Sequence, residues 1–174
     1  LRKSIQAGLD GDTAGAAKSL AMLGTLLVNN RGRPQEGLDA LALARAEANR
    51  CGDSHAKLVV DTAYGAALVA VGRHAEARPL LEDCLRRNEA GGTVHSTMLV
   101  RMHLVNVHRA QGRHDEAERS LQSCIREAQQ TGLRQSEASL TANLGVLHFM
   151  HARLEQAEHY FRQALALHEE TGNV

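Results

Sequence analysis

A period of 40 residues constrains this chain more than any other feature. Gly32-Arg33, Gly72-Arg73, Gly112-Arg113 and Ala152-Arg153 recur at that interval, and each precedes a small residue at a fixed offset: Gly37, Ala77, Ala117 and Ala157. A second ladder, Gly52, Gly92, Gly132 and Gly172, keeps the same interval. A chain written this way copies one unit in series. Each unit buries its apolar face only against its neighbour, so the expected product is a stack and not a closed core.

The spacing between the breaks is helical. Leu41, Leu81, Leu121 and Phe161 stand three residues before Ala44, Cys84, Cys124 and Ala164, which puts each pair on one face of a second helix. The large residue is expected to plug into the neighbouring helix while the small one lets backbones approach. The period then gives four helix–turn–helix units, 13–52, 53–92, 93–132 and 133–172. Residues 1–12 read as the truncated second helix of a preceding unit, because Leu1, Ser4 and Ile5 align with Leu121, Cys124 and Ile125. Residues 173–174 read as the start of a further one. The whole is expected to be one solenoid domain cut from a longer stack.

Local chemistry marks the helix ends. Asp53 or Ser54, and Thr93, are placed to accept from the free amides of the helices that come after them. Gly72 and Gly112 supply the permissive backbone for the turn inside a pair, a task harder for Ala152. Pro34 suits the first turn of a helix. Pro79 falls about five residues into its helix, which predicts a late helix start or a slight bend. The first unit is also out of register: Leu23-Gly24 lies one residue further from Gly32-Arg33 than Leu144-Gly145 lies from Ala152-Arg153. A longer turn at Asn29-Asn30-Arg31 is expected to absorb the extra residue, with a π-bulge as the rarer solution.

The stretch from Thr141 to His168, with Leu144-Gly145, Ala157, Phe161 and Ala164, resembles the tetratricopeptide repeat (TPR), in which a Leu-Gly pair on the first helix precedes Ala-x3-Phe on the second. Thr141 stands where that family usually has Trp and His148 where it has Tyr. The long period is similar to the longer-helix variety found in kinesin light chains and in the sensor regions of bacterial ATPase transcription regulators. Residues 135–173 are particularly similar to the latter. The resemblance implies an all-α, right-handed α-solenoid, a superhelix of stacked antiparallel hairpins. It also implies a non-catalytic module that binds a protein or peptide, as the interaction or sensor segment of a larger bacterial regulatory protein. An assembly scaffold, or a piece of an enzyme or regulator whose catalytic domain lies elsewhere, is the alternative.

Composition narrows the partners. Twenty basic and twenty acidic residues give zero formal net charge, with no long run of either sign, so neither nucleic acid nor an anionic membrane is expected as partner. No stretch approaches the roughly 20 apolar residues of a membrane span, and the first residues lack both an initiating Met and a signal-like apolar run. Cys51, Cys84 and Cys124 are too few for a disulfide framework and read as small core residues in a reducing, cytoplasmic setting. High Arg, Ala and Leu content is compatible with a bacterial source.

Ten histidines invite a metal, but His74/His114, His55/His95 and His108/His148 are each explained by the period. His148 and His151 could share a helix face, though no HExxH or Cys-x2-Cys accompanies them. No phosphate loop, nucleophile elbow or Cys-His arrangement is present, and Glu116, Glu118, Glu155 and Glu158 read as solvated partners of nearby arginines. No catalytic residue, cofactor or metal is therefore expected.

In tetratricopeptide arrays one face of every first helix lines the concave side. Carried over residue by residue, that implies Ser139, Ala142, Val146, Phe149 and Met150 in the fourth unit, and Leu99, Met102, Asn106, Arg109 and Ala110 in the third. The second unit offers Val59, Thr62, Ala66, Val69 and Ala70, and the first Met22, Leu26, Asn29 and Asn30. A mostly apolar floor with Asn106 and Arg109 as polar anchors suits an extended peptide or an amphipathic helix. Self-association through terminal apolar faces, Leu1 to Ala7 or Leu165 to His168, is the other expected mode.

Overall fold

The structure is a computed structural model that describes residues 13–29 and 33–172. They form eight helices and the turns between them: α1 (Thr13–Asn29), α2 (Pro34–Cys51), α3 (Ser54–Ala70), α4 (His74–Gly91), α5 (Val94–Ala110), α6 (His114–Gln130), α7 (Arg134–Met150) and α8 (Leu154–Glu170). The chain divides into two compact units, Leu1–Gly92 and Thr93–Val174. In the first, α2 packs on α1, α4 packs on α3, and α3 lies against both α1 and α2. In the second, α6 packs on α5 and α8 on α7, with α7 laid against α6. Each unit is thus a pair of stacked helix hairpins.

Among the described residues the hairpin turns share one backbone device. After α3, the amide of Arg73 donates to the Leu68 carbonyl at 2.8 Å and that of Gly72 to Val69 at 3.1 Å, with Gly72 at φ +81°. That is a Schellman ending, which satisfies orphan carbonyls through one left-handed residue. Gly112 repeats it at φ +69°, and Ala152 adopts the same conformation at φ +54° without the freedom of a glycine. Between hairpins Gly52 and Gly132 are also left-handed. Gly92 departs from them, with extended backbone that leads into the next cap.

Helix starts are set as the sequence anticipates. Asp53 accepts from the amides of His55 and Ala56 at 2.8 and 3.1 Å, and the bonds from Ala56 and His55 hold its carboxyl below the usual range. Thr93 and Ser96 exchange side-chain and backbone bonds as a capping box. Pro34 opens α2. Pro79, however, lies inside α4, which begins at His74 and not late. The helix gives up the one amide that Pro79 lacks. The arginines after the turn glycines have a role that spacing alone did not disclose: Arg73 holds Glu76 by a two-pronged contact at 2.7 and 2.6 Å, and Arg33–Glu36 and Arg113–Glu116 repeat it.

The core sits where the helices of each unit meet. Leu41, Leu81 and Leu121 are fully buried, as are Ala44, Cys84 and Cys124. Burying each such leucine is worth roughly 1.5–3 kcal/mol. A Cβ on Gly24 would meet Leu41 at 2.6 Å, and one on Gly65 would meet Leu81 at the same distance. The small-opposite-large pairing is therefore physical contact. Gly24 and Leu41 are one residue further apart in sequence than Gly65 and Leu81, so the register offset is real. α1 is unbroken α-helix through Asn29, with no π-bulge. The turn expected to absorb the extra residue lies, beyond Asn29, outside the described residues. So do residues 1–12, including the apolar Leu1 to Ala7 face, and residues 173–174.

Phe161 departs from its periodic partners. It packs on Gly145, where a Cβ would come within 2.9 Å of its ring, yet it is 40% exposed against 0% for Leu121. It meets the glycine of α7 as Leu81 meets Gly65, so the expected contact is made, but the ring is not buried as those leucines are. α7 covers the face of α6 that carries Leu121, whereas no described helix covers that face of α8.

Three charged contacts, two of them on one carboxylate, lie deeper than solvated surface pairs. Asp61 on α3 is buried and accepts from Arg45 of α2 at 2.7 Å and Arg87 of α4 at 3.0 Å. In the second unit Arg101 of α5 pairs with Glu127 of α6 at 2.6 Å. Positions 61 and 101, and 87 and 127, are one period apart, so the two hairpins carry the same pair with its sign reversed.

Candidate interaction surfaces

In the second unit, side chains from the first three turns of α5 and α7 face one another across a cleft of about 380 Å³. Buried Met98 and Leu140 belong to its lining and to the core beneath it. Leu99 and Met102 add apolar surface, and His95, Gln135, Ser136, Ser139 and Asn143 supply polar groups. The Ser139 hydroxyl is already spent on its own helix, donating to the Gln135 carbonyl at 3.0 Å. The amides of Gln135 and Asn143 can turn to an incoming main chain, since each side chain both donates and accepts.

The residues carried over from the family resemblance divide between surfaces. Leu99 and Met102 lie in the cleft, and Ser139 with them. Asn106 and Val146 are exposed on α5 and α7 but do not line it. Arg109 is half-buried and donates to the Met150 sulfur at 3.0 Å, so these two candidates hold each other. Phe149 joins a different depression with Leu154, Ala157, Glu158, Phe161, Arg162 and Leu165. In the first unit Met22, Leu26, Asn29 and Val59 are exposed, whereas Thr62 and Val69 are half-buried. The Thr62 hydroxyl donates to the Leu58 carbonyl at 2.8 Å. Asn30 lies outside the described residues. The partners of Leu99 and Met102 within the cleft, namely His95, Gln135 and Asn143, were missed. The signal was available: 95 and 135 stand one period apart, as do 99 and 139, in the first turns of the two helices.

Histidines cluster at the turn end of this unit. The rings of His114 and His151 lie 3.7 Å apart, centroid to centroid, and His148 stacks on Tyr160 with its Nε2 3.7 Å from Glu118. Desolvation, then the neighbouring His114, Arg153, His148 and Arg109, hold His151 below its ordinary value. Burial alone does the same to His103. Burial pushes Cys84 and Cys124 up to about 11, which keeps both as thiols, while Cys51 is half-buried and hydrogen-bonded to the Ala48 carbonyl at 3.3 Å. Among the described residues no three His, Cys, Asp or Glu side chains converge as a metal-binding set, and no helix is long and apolar enough to cross a membrane. What these surfaces offer is apolar contact framed by hydrogen-bonding groups.

Comparison with known proteins agrees with the hairpin geometry. A tetratricopeptide repeat family model matches residues 96–170. The crystal structure of BtubC (BKLC) from P. vanneervenii superposes with a TM-score of 0.64 at 17% identity, over 80% of this chain and 59% of that one. This chain thus spans less than two thirds of that protein's length, and the likeness is one of fold. In all, 37 solved chains match, so the architecture by itself selects no partner. Among curated proteins no match was found. The second unit thus matches the tetratricopeptide repeat over residues 96–170, and the chain as a whole shares the stacked-hairpin fold of that solved structure.

Proposed function

We propose that this chain is a peptide-binding module in which the cleft between α5 and α7 takes a short extended segment of a partner protein. Tetratricopeptide repeats generally mediate protein–protein interaction and are typically non-catalytic. The observation that carries the finer reading is the cleft itself. Met98, Leu99, Met102 and Leu140 give it an apolar lining, while the Gln135 and Asn143 amides stand ready for peptide backbone. Its volume of about 380 Å³ sits at the low end of the roughly 300–1,000 Å³ of ligand sites, room for one or two apolar side chains. Methionine suits such a role because its unbranched side chain reshapes around different guests. The exposed Met22, Leu26 and Val59 are the corresponding contact residues of the first unit. Three unpaired thiols fit a reducing, cytoplasmic setting, and the resemblance of residues 135–173 fits a sensing segment of a bacterial regulator.

Selection from a random peptide display library tests the reading. Enriched peptides should carry apolar residues at alternate positions, and Leu99→Glu should weaken them by about tenfold or more, roughly 1.4 kcal/mol, with helicity unchanged. Undiminished binding to Leu99→Glu and Met102→Glu would refute the cleft.

A further inference from the structure

Three positions that recur two periods apart are filled in opposite ways in the two units. In the first unit they are Arg45 on α2, Asp61 on α3 and Arg87 on α4. Both guanidiniums close on the one buried carboxylate, at 2.7 and 3.0 Å, and the Arg45 guanidinium carbon lies 5.0 Å from the centroid of the Tyr64 ring. Eighty residues further on stand Ile125 on α6, Thr141 on α7 and Leu167 on α8, all uncharged and shorter than arginine. These three border a depression of about 280 Å³. Where one unit packs guanidinium between its helices, the other leaves an opening.

The lining of that opening suits the same group. Glu137, one helical turn before Thr141, is buried, with Oε1 accepting from the Gln129 side-chain amide at 2.9 Å and Oε2 from Arg134 at 3.0 Å. Each carboxylate oxygen carries two lone pairs, so each can take one more donor. Among the described residues that line the depression, Glu137 and Glu170 are the charged ones, both acidic. Tyr160 brings an aromatic ring, while Ile125, Ala166 and Leu167 give apolar walls along which an aliphatic stem can lie. The open side belongs to the repeat: Ala166 and Glu170 are exposed, and so are Arg126 and Gln130 one period earlier on α6, against which α7 is packed. The opening therefore does not depend on what adjoins α8.

We propose that this depression binds a guanidinium group on an aliphatic stem, held by Glu137 and laid against Tyr160 as Arg45 is held by Asp61 and Tyr64. A guanidinium fits better than an ammonium, because its planar fork offers five donors to separate acceptors and stacks on an aromatic face. At about 280 Å³ the depression falls below the roughly 300–1,000 Å³ of drug-sized ligand sites, which matches a guest the size of one side chain. An arginine of a partner protein and a free guanidino compound share this chemistry.

Titration calorimetry of the 174-residue chain, with backbone amide shifts followed by NMR, is the test. N-acetylarginine amide stands for an arginine of a partner, agmatine for a free compound, and N-acetylcitrulline amide keeps the shape without the charge. At least one guanidinium probe should saturate with a Kd of about 1 mM, the tighter of the two naming the source, and the citrulline compound should bind about tenfold or more weakly. Shift changes should centre on Gln129, Glu137, Thr141 and Gln163. Glu137→Gln should weaken binding by about tenfold. Because Glu137 is buried, a second variant carries the test without touching it: Leu167→Arg returns to α8 the guanidinium that Arg87 supplies on α4, and should abolish binding with circular dichroism unchanged. Leu99→Glu in the cleft should leave it unaltered, which separates this site from peptide binding. No saturation by about 10 mM, equal binding of the citrulline compound, or undiminished binding to Leu167→Arg would each overturn the proposal.

Discussion

Ala152 occupies a left-handed position that Gly72 and Gly112 fill in the hairpins before it. The Schellman bonds still form, with Arg153 donating to His148 at 3.0 Å, so the motif and not the residue dictates the geometry. Left-handed backbone costs a non-glycine residue roughly 1–2 kcal/mol, part of which a glycine returns as unfolded-chain entropy. Ala152→Gly should therefore stabilise the chain by about 0.5–1 kcal/mol, read as a higher urea midpoint with an unchanged slope. Cysteine reactivity is a second residue-scale consequence. Cys84 and Cys124, pushed up to about 11 and fully buried, present no thiolate to a reagent near pH 8, whereas Cys51 is half-buried. Native protein should release one equivalent of thionitrobenzoate rapidly and three after denaturation, and Cys51→Ser should abolish the rapid equivalent. Rapid release of all three would show that the helices open far more readily than their packing implies.

At the level of elements, the helix pairs were legible because their punctuation repeats. Gly-Arg marks the turn, Asp53 and Thr93 cap the helices next in the chain, and the offset of Gly24 relative to Leu41 could be counted directly. These are local rules with a local cause. The late start that Pro79 suggested does not occur, for a reason of the same scale: one missing amide is a small loss beside the burial of Ala77, Leu81 and Cys84, so α4 extends back to His74 regardless. The partial exposure of Phe161 was not legible, for a different reason. Its residue type and spacing match Leu121, and only the presence or absence of a helix over the face decides whether the ring is covered. The candidate site was half legible for the same cause. Periodicity located the face that holds Leu99 and Met102, but the parting of Arg109 and Phe149 from that cleft depends on which side chains reach Met150 and Leu154.

For the molecule as a whole, a repeated design raises the question of how each helix finds its own mate, since near-identical hairpins offer near-identical alternatives. The buried Asp61 shows how much one charge matters: both Arg45 and Arg87 converge on it. Asp61→Arg should cost roughly 3–5 kcal/mol, because it leaves like charges together away from water. Adding Arg87→Glu should recover only part of the loss, since Arg45 still faces the wrong sign; full recovery in a denaturation series would mean that Arg45 contributes nothing. Arg101 and Glu127 carry the opposite polarity in the same place. A mistaken marriage of α3 with α6 would set Asp61 against Glu127, and one of α4 with α5 would set Arg87 against Arg101. Like keys cut with reversed teeth, the two hairpins refuse each other's locks, so a helix of one is steered away from pairing with a helix of the other.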